Sequence, residues 1–379
     1  MRERDQILSL WERLAPPNET AVLATVLKTE GSSYRTPGAR LLLTQDGQHV
    51  GGVSGGCLED DIVKKAWWLT ANGPVLRRYD TTADGELSTD GYGLGCNGII
   101  HVLLERVTRD APSALPILLA VRNSRRPAAI AHVLAPLQMV GQQLIIAPDG
   151  SINHNLSEPA LIEKMLSELG KSEGGSRLFS PLPGREILLE RIDPPIQLLV
   201  FGAGEDAIPV TQFAKNLGWK VKVYDGRAHY AKPERFPQAD SVELRPLGSR
   251  APVIDKWTAA ITMTHSFSQD ADVLRSLAER PIRYLGVLGP RKRTGQLLAE
   301  TELSSLEANP ALHAPMGLDV GTDGPEQVAL AIIAEIQSVM NGRPAGLLRD
   351  RPGPIHSGEA VAHDDASPEH VWVRSIVCA

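Results

Sequence analysis

The chain has 379 residues, enough for two or three domains, and its 42% hydrophobic and 22% charged content excludes a mostly disordered protein. Lys and Arg total 39 against 45 Asp and Glu, a formal charge of −6 that argues against wholesale nucleic-acid binding. The three cysteines, Cys57, Cys96 and Cys378, are too few and too scattered for a disulfide-stapled secreted fold. The charged N-terminus MRERDQILSLWERL has no signal-peptide core. Nor does any apolar run reach the ~18 residues of a spanning helix, so a cytoplasmic protein without membrane or nucleic-acid partners is expected.

Along the chain, residues 3–14 put Ile7, Leu8, Trp11 and Leu14 on one helical face, and Pro16-Pro17 stops that helix. AVLATVLK (21–28) reads as a buried strand, and RLLLTQDGQHVGG (40–52) as two short strands joined at Asp46-Gly47. Residues 58–70 form an amphipathic helix with acids in its first turn. VLRRYDT and IIHVLLER (99–106) are further strands, and a helix follows at about 115–124.

The next stretch reads as a shortened second copy. AVLATVL (21–27) is echoed by AAIAHVL (128–134), LLLTQDG (41–47) by LIIAPDG (144–150), helix 58–70 by EPALIEKMLSEL (158–169), and VLLER (102–106) by ILLER (187–191). The offsets 107, 103 and 85 shrink in order, as loop deletions would produce. What the second copy lacks is EGSSYRTPGAR, GGVSGGC and DGYGLGCNG. Scaffold is present twice and the glycine–cysteine loops once.

From residue 194 strands and helices alternate: QLLVFGAG, a helix closed by Gly218, KVKVYD (220–225), TAAITMTH (258–265), RYLGVLG (283–289) and helix 327–340. That is the pattern of a doubly wound parallel sheet. The expected architecture is therefore α/β. A mixed α+β domain occupies 1–192, with an apparent internal duplication (copies about 20–107 and 127–192). A Rossmann-like domain occupies 193–345 and an extended tail 346–379. His356, His363 and His370 recur every seven residues in that tail, without the helical face that would make the spacing a metal site.

Gly202-Ala203-Gly204-Glu205-Asp206-Ala207 fits G-x-G-x-x-G/A between a strand and a helix. Gly202 permits the tight turn, Gly204 the close approach of a phosphate, and Ala207 close helix–strand packing. Asp225, 21 residues beyond Gly204, is placed to accept from a ribose hydroxyl. Glu205 and Asp206 would repel a pyrophosphate, though Asp206 also suits a helix start. Arg291, Lys292 and Arg293 after a later strand suit a phosphate or an acidic partner as well as solvent. His265 ends a strand where such folds contact ligand, or serves as a buried structural histidine. A Rossmann-shaped domain without ligand stays open.

GGVSGGC (51–57) and GYGLGCNG (91–98) gather eight of the 34 glycines around two cysteines. Runs of exposed backbone N–H suit an anion or a flat polar ring. Cys57 falls at a helix N-terminus, where the dipole lowers a thiol pKa, against the opposing charges of Glu59, Asp60 and Asp61. Burial as small inert thiols is the alternative. Zinc is not expected without C-x-x-C or paired-histidine spacing, nor a serine hydrolase without G-x-S-x-G.

In ATVLKTEGSSYRTPGARLLLT, VGGVSGGCLE, YGLGCNGIIHVLLE, LLVFGAGEDAIPV with VKVYDGR, MTHSFSQDADVL, YLGVLGPRKR and PMGLDVGTDGPEQVALAIIAEI, the chain resembles the XdhC/CoxI family of accessory factors for xanthine dehydrogenase and related molybdenum hydroxylases. The resemblance runs from about residue 20 to 345. It implies a chaperone, more than a turnover enzyme, that binds molybdenum cofactor (molybdopterin or its dinucleotide form). It also implies support for exchange of an oxo for a sulfido ligand with a cysteine desulfurase as donor, and insertion of the product into the hydroxylase. Cys57 and Cys96 are then the positions for sulfur handling or molybdenum contact, with Gly55, Gly56, Gly95, Arg35 and Arg40 around the pterin. Gly202, Gly204, Ala207, Asp225, His265 and Arg291 would hold a nucleotide moiety or an NAD-type dinucleotide, and a homodimer is expected. The family often has His where this chain has Glu205, which weakens the nucleotide expectation. Two other functions compete: an NAD-dependent oxidoreductase with His265 as acid/base, and a ligand-free assembly factor.

Overall fold

The structure, a computed structural model, describes residues 2–14, 20–31, 33–56, 58–80, 98–109, 112–171 and 175–351. The chain divides into two compact units, one of residues Glu3–Pro194 and one that begins at Pro195. No helix among the described residues is long and apolar enough to cross a membrane.

The first unit opens with α1 (Arg2–Arg13), β1 (Ala21–Gly31), β2 (Arg40–Leu43), β3 (His49–Gly51), α2 (Glu59–Leu69), β4 (Val75–Asp80) and β5 (Gly98–Val107). The same succession then returns as α3 (Ala114–Ser124), β6 (Ala128–Ala135), β7 (Gln143–Ile146), β8 (Ile152–His154), α4 (Pro159–Leu169), β9 (Ser176–Phe179) and β10 (Glu186–Ile192). The strands form two five-stranded sheets of one topology, β3-β2-β1-β5-β4 and β8-β7-β6-β10-β9, antiparallel throughout. Even an irregularity is repeated. The β1–β5 register slips between Val26 and Lys28, passing over Leu27, and the β6–β10 register skips Leu134, the repeat equivalent of Leu27. A bulge kept at one position in both copies is a built feature of the sheet.

β1 is buried on both faces, which explains its unbroken apolar run. Val22, Ala24 and Val26 meet Ile62 and Ala66 of α2, while Ala21 and Leu23 meet Ala128 and Ile130 of the second sheet in a core shared with α1 and α3. The outer face of the second sheet packs on Leu161 and Met165 of α4. The unit is thus two sheets face to face, with α2 and α4 outside.

Between the sheets the apolar layers are interrupted once. Thr25, Arg40 and Glu105 from the first copy and His132, Gln143 and Glu190 from the second are all buried. Each stands at the same repeat position as its counterpart. Along the strands they lie between the Leu23/Ile130 core and a small cluster of Leu27, Leu103, Leu134 and Leu188.

The second unit contains β11 (Gln197–Phe201), α5 (Ala207–Asn216), β12 (Lys220–Asp225), β13 (Ser241–Leu244), β14 (Thr258–Thr262), α6 (Phe267–Leu277), β15 (Tyr284–Val287), α7 (Arg291–Glu300), β16 (Leu312–His313) and α8 (Pro325–Met340). Its sheet runs β13-β12-β11-β14-β15-β16, all parallel. This is the 3-2-1-4-5-6 order of dinucleotide-binding folds, whose crevice opens where the order reverses, between β11 and β14. α5 and α8 cover one face through Val210, Ile332 and Ile336, and α6 and α7 cover the other through Leu274, Leu277 and Leu297. β13 and the two-residue β16 are edge strands with no apolar alternation to announce them. No α-helix separates β12 from β13 or β13 from β14.

Candidate functional site

Cys57, Cys96 and Gly95 lie outside the described residues, so the expectations placed on them stand on sequence alone. The loop leading to Cys57 is described up to Gly56, and Glu59 organises it. The amides of Val53 and Ser54 donate to Glu59 Oε1 at 2.9 and 2.8 Å, the Ser54 hydroxyl donates to Oε2, and the Leu58 amide reaches Oε2 at 3.2 Å. Burial opposes the charge of Glu59, but these donors hold its carboxyl below the ordinary value. Two of the amides suited to an external anion are therefore engaged by an internal one. Ser54 Oγ takes the Gly56 amide at 3.2 Å. Beside Gly55 lies the exposed ring of Tyr34, 3.8 Å from where a Cβ at that glycine would stand.

The two arginines expected at this loop separate. Arg35 pairs with Glu3, whose Oε1 also accepts the Gly52 amide at 3.2 Å, so it borders the loop. Arg40 does not. It donates through its two terminal guanidinium nitrogens, Nη1 and Nη2, to Glu190 at 2.8 and 2.6 Å inside the sheet interface. Its alternation on β2 points it inward, away from the loop and onto Glu190. The TPGAR segment serves the same joint. Gly38, at φ +94°, carries the backbone so close to Glu190 that a Cβ would stand 2.9 Å from Oε1.

In the second unit Gly202 has φ +115°, and a Cβ there would stand 2.4 Å from the Met263 carbonyl oxygen. Only glycine lets the β11 turn cross the end of β14. Ala207 is fully buried at the start of α5. Glu205 and Asp206 have partners the sequence did not reveal. Arg235 pairs with Glu205 and also donates to the Ala203 carbonyl, and His265 Nε2 lies 2.7 Å from Asp206. His265 is exposed at the crevice rather than buried, and it holds φ +57°, a strained value for a non-glycine residue.

Asp225 is where the spacing put it, at the end of β12, but it is not free. Its side chain is fully buried. Oδ2 accepts from the Ala203 amide and from Arg227 Nη2, both at 2.8 Å, while Oδ1 accepts from the Arg227 amide and Nε at 2.8 and 2.9 Å. Burial opposes its charge, and these donors still hold it below the ordinary carboxylate value. In the GPRKR segment only Arg293 turns inward, onto Asp270, a buried carboxylate that also takes the Thr262 and Thr264 hydroxyls. Arg291 and Lys292 remain exposed on the first turn of α7. Glu59, Arg227, Arg235 and Asp270 are the organisers that sequence reading missed. The one local signal was an arginine two residues after the second-strand acid.

A repeated antiparallel unit bearing a glycine loop, joined to a Rossmann unit of 3-2-1-4-5-6 order, is the class this geometry defines. The sequence profile of the XdhC Rossmann domain matches residues 198–336, and that of the XdhC and CoxI family matches residues 14–80. The chain belongs to the XdhC/CoxI family. It is 29% identical over 334 residues to a Bacillus subtilis (strain 168) protein described as a probable subunit of xanthine dehydrogenase, covering 86% of this chain and 96% of that protein. It is 26% identical over 325 residues to the molybdenum cofactor insertion chaperone PaoD of Escherichia coli (strain K12), covering 84% of this chain and 83% of PaoD. A crystal structure described as a xanthine dehydrogenase from Bacillus halodurans superposes with a TM-score of 0.73 at 28% identity, over 97% of this chain and 99% of the other.

Proposed function

We propose that this protein is an accessory chaperone that binds molybdenum cofactor as cargo, supports its sulfuration and inserts it into a xanthine dehydrogenase-type molybdenum hydroxylase. The observation that carries the reading is the similarity to PaoD, an insertion chaperone, across most of both chains. The relative named for xanthine dehydrogenase supports the client class. The described part of the first unit offers features that suit such cargo: a glycine turn at Gly55 and Gly56 stiffened by Glu59, the Tyr34 ring beside it, and Arg35 at its border. Cys57 and Cys96 supply thiolates, soft ligands for molybdenum and competent carriers of sulfur from a cysteine desulfurase. The Rossmann crevice, bordered by Gly202, Gly204, Asp206 and His265, takes a nucleotide moiety or a dinucleotide, with Arg291 on α7 as a further phosphate contact. The protein works in the cytoplasm, as a homodimer.

Activation of the purified apo-hydroxylase tests this, with wild-type chaperone, a Cys57→Ala/Cys96→Ala double variant, molybdopterin and a cysteine desulfurase. Wild type should restore sulfido-dependent activity and the double variant should not. Equal activation by both proteins removes the thiols from the mechanism.

A further inference from the structure

The acid at the end of the second strand is the group by which a Rossmann fold holds the free ribose diol of NAD. A carboxylate offers about four acceptor sites, and all four at Asp225 are occupied: two by Arg227 side-chain N–H groups and two by the Ala203 and Arg227 amides. A ribose hydroxyl could bond to it only by displacing one of these from a fully buried position. The residues do not fit the diol of NAD.

What the strand end offers outward is Arg227. Its guanidinium is held along one edge by Asp225, lies 4.1 Å above the Tyr230 ring, and directs Nη2 toward the Thr264 carbonyl at 3.5 Å. It is one-third exposed, and Nη1 donates to no described group. Arg245 lines the hollow beside Asp225 and Gly226, but Asp272 pairs with its Nη1 at 2.8 Å and its Nη2 donates to the Ser249 carbonyl, so it is already engaged. That hollow, between Gly226 and Gln269, measures about 10 Å³, room for one water and not for a base.

We propose that Arg227, positioned by Asp225 and Tyr230, makes this crevice selective for a nucleotide whose ribose carries a phosphate monoester, as in NADP, over one with a free diol. A planar, permanently charged fork suits phosphate and gives nothing comparable to a diol. The inference rests on the reading that the crevice binds a nicotinamide-type dinucleotide and not the free-diol nucleotide moiety of a molybdopterin dinucleotide; carriage of the pterin by the first unit does not depend on it.

Calorimetric titration of the full-length chain with NADP⁺, NAD⁺, 2′,5′-ADP and AMP at one ionic strength tests it. The phosphorylated member of each pair should bind about tenfold or more tightly, the range for a hydrogen-bonded charge. Arg227→Gln should bring the ratio close to one, and Arg227→Lys should leave part of it. The ratio reads selectivity and is not moved by a general loss of folded protein. Equal binding of NAD⁺ and NADP⁺ by the wild type overturns the inference and leaves the dinucleotide reading standing, as does an unchanged ratio in Arg227→Gln. Absence of binding by all four overturns both.

Discussion

Arg40 and Glu190, 150 residues apart, form a two-bonded ion pair at 2.8 and 2.6 Å across the interface of the two repeats. Their side chains are only 5% and 6% exposed. Removing one partner strands the other charge in the core. Glu190→Ala should therefore destabilise the first unit by roughly 3–5 kcal/mol, while a combined Arg40→Met/Glu190→Leu variant should lose far less. Hydrogen exchange of the β2 and β10 amides resolves this unit separately from its neighbour. Equal protection in the two variants would refute the argument.

The paired repeat positions Glu105 and Glu190 should respond oppositely to pH. At Glu190 burial opposes the charge, but Arg40 and His132 outweigh it and the carboxyl falls from 4.5 to about 2. Its contribution, about 3 kcal/mol for that drop, is present above pH 4.5 and fades as pH falls toward 2. Glu105, whose repeat-equivalent of Arg40 is the uncharged Gln143, is pushed upward by burial, an effect that His132 and Arg40 only partly offset. Its neutral form is the favoured one, so stability present below pH 4.5 declines as pH rises above it. Glu105→Gln should match the wild type in acid and exceed it increasingly toward neutrality, as read from denaturation of the first unit across pH 3–8. A flat difference would show that Glu105 is ionised at no cost.

Glu59 should hold the glycine loop in shape. Glu59→Ala leaves the Val53 and Ser54 amides without an acceptor, a loss of roughly 2 kcal/mol. Exchange at residues 52–58 should accelerate while β1 and β5 stay protected. Unchanged exchange in the loop would mean that the glycines fix it unaided.

Two glycine substitutions in the second unit should have opposite signs. Gly202→Ala meets the Met263 carbonyl at 2.4 Å with φ +115°, and should sharply lower the melting temperature of the Rossmann unit. Gly295→Ala, in the exposed middle of α7 with nothing within 4 Å, should raise stability by roughly 0.5–1 kcal/mol. A tolerated Gly202→Ala would mean that the turn is not under steric control.

The repeat was legible because AVLATVL and AAIAHVL, and LLLTQDG and LIIAPDG, keep the same apolar runs in strands of both copies, and VLLER and ILLER keep even the buried glutamate. The Rossmann order was legible from strand–helix alternation and the spacing of Gly202 and Asp225. Long-range polar partners were not. Nothing local marks Arg40 for Glu190, or Arg235 and His265 for the acids at 205 and 206, because such pairs form only when distant strands meet. Asp225 shows the limit in miniature: its position was readable, but its saturation by Arg227 depends on a side-chain conformation.

Carriage of molybdenum cofactor is tested most directly by mass spectrometry of small molecules released from freshly purified protein, with acid–iodine oxidation of any pterin to its fluorescent form. Protein made in cells that synthesise the cofactor should release molybdopterin or its dinucleotide near one equivalent per chain, and less from Glu59→Ala. Protein from those cells that releases no pterin and gains none on incubation with free molybdopterin would contradict the account.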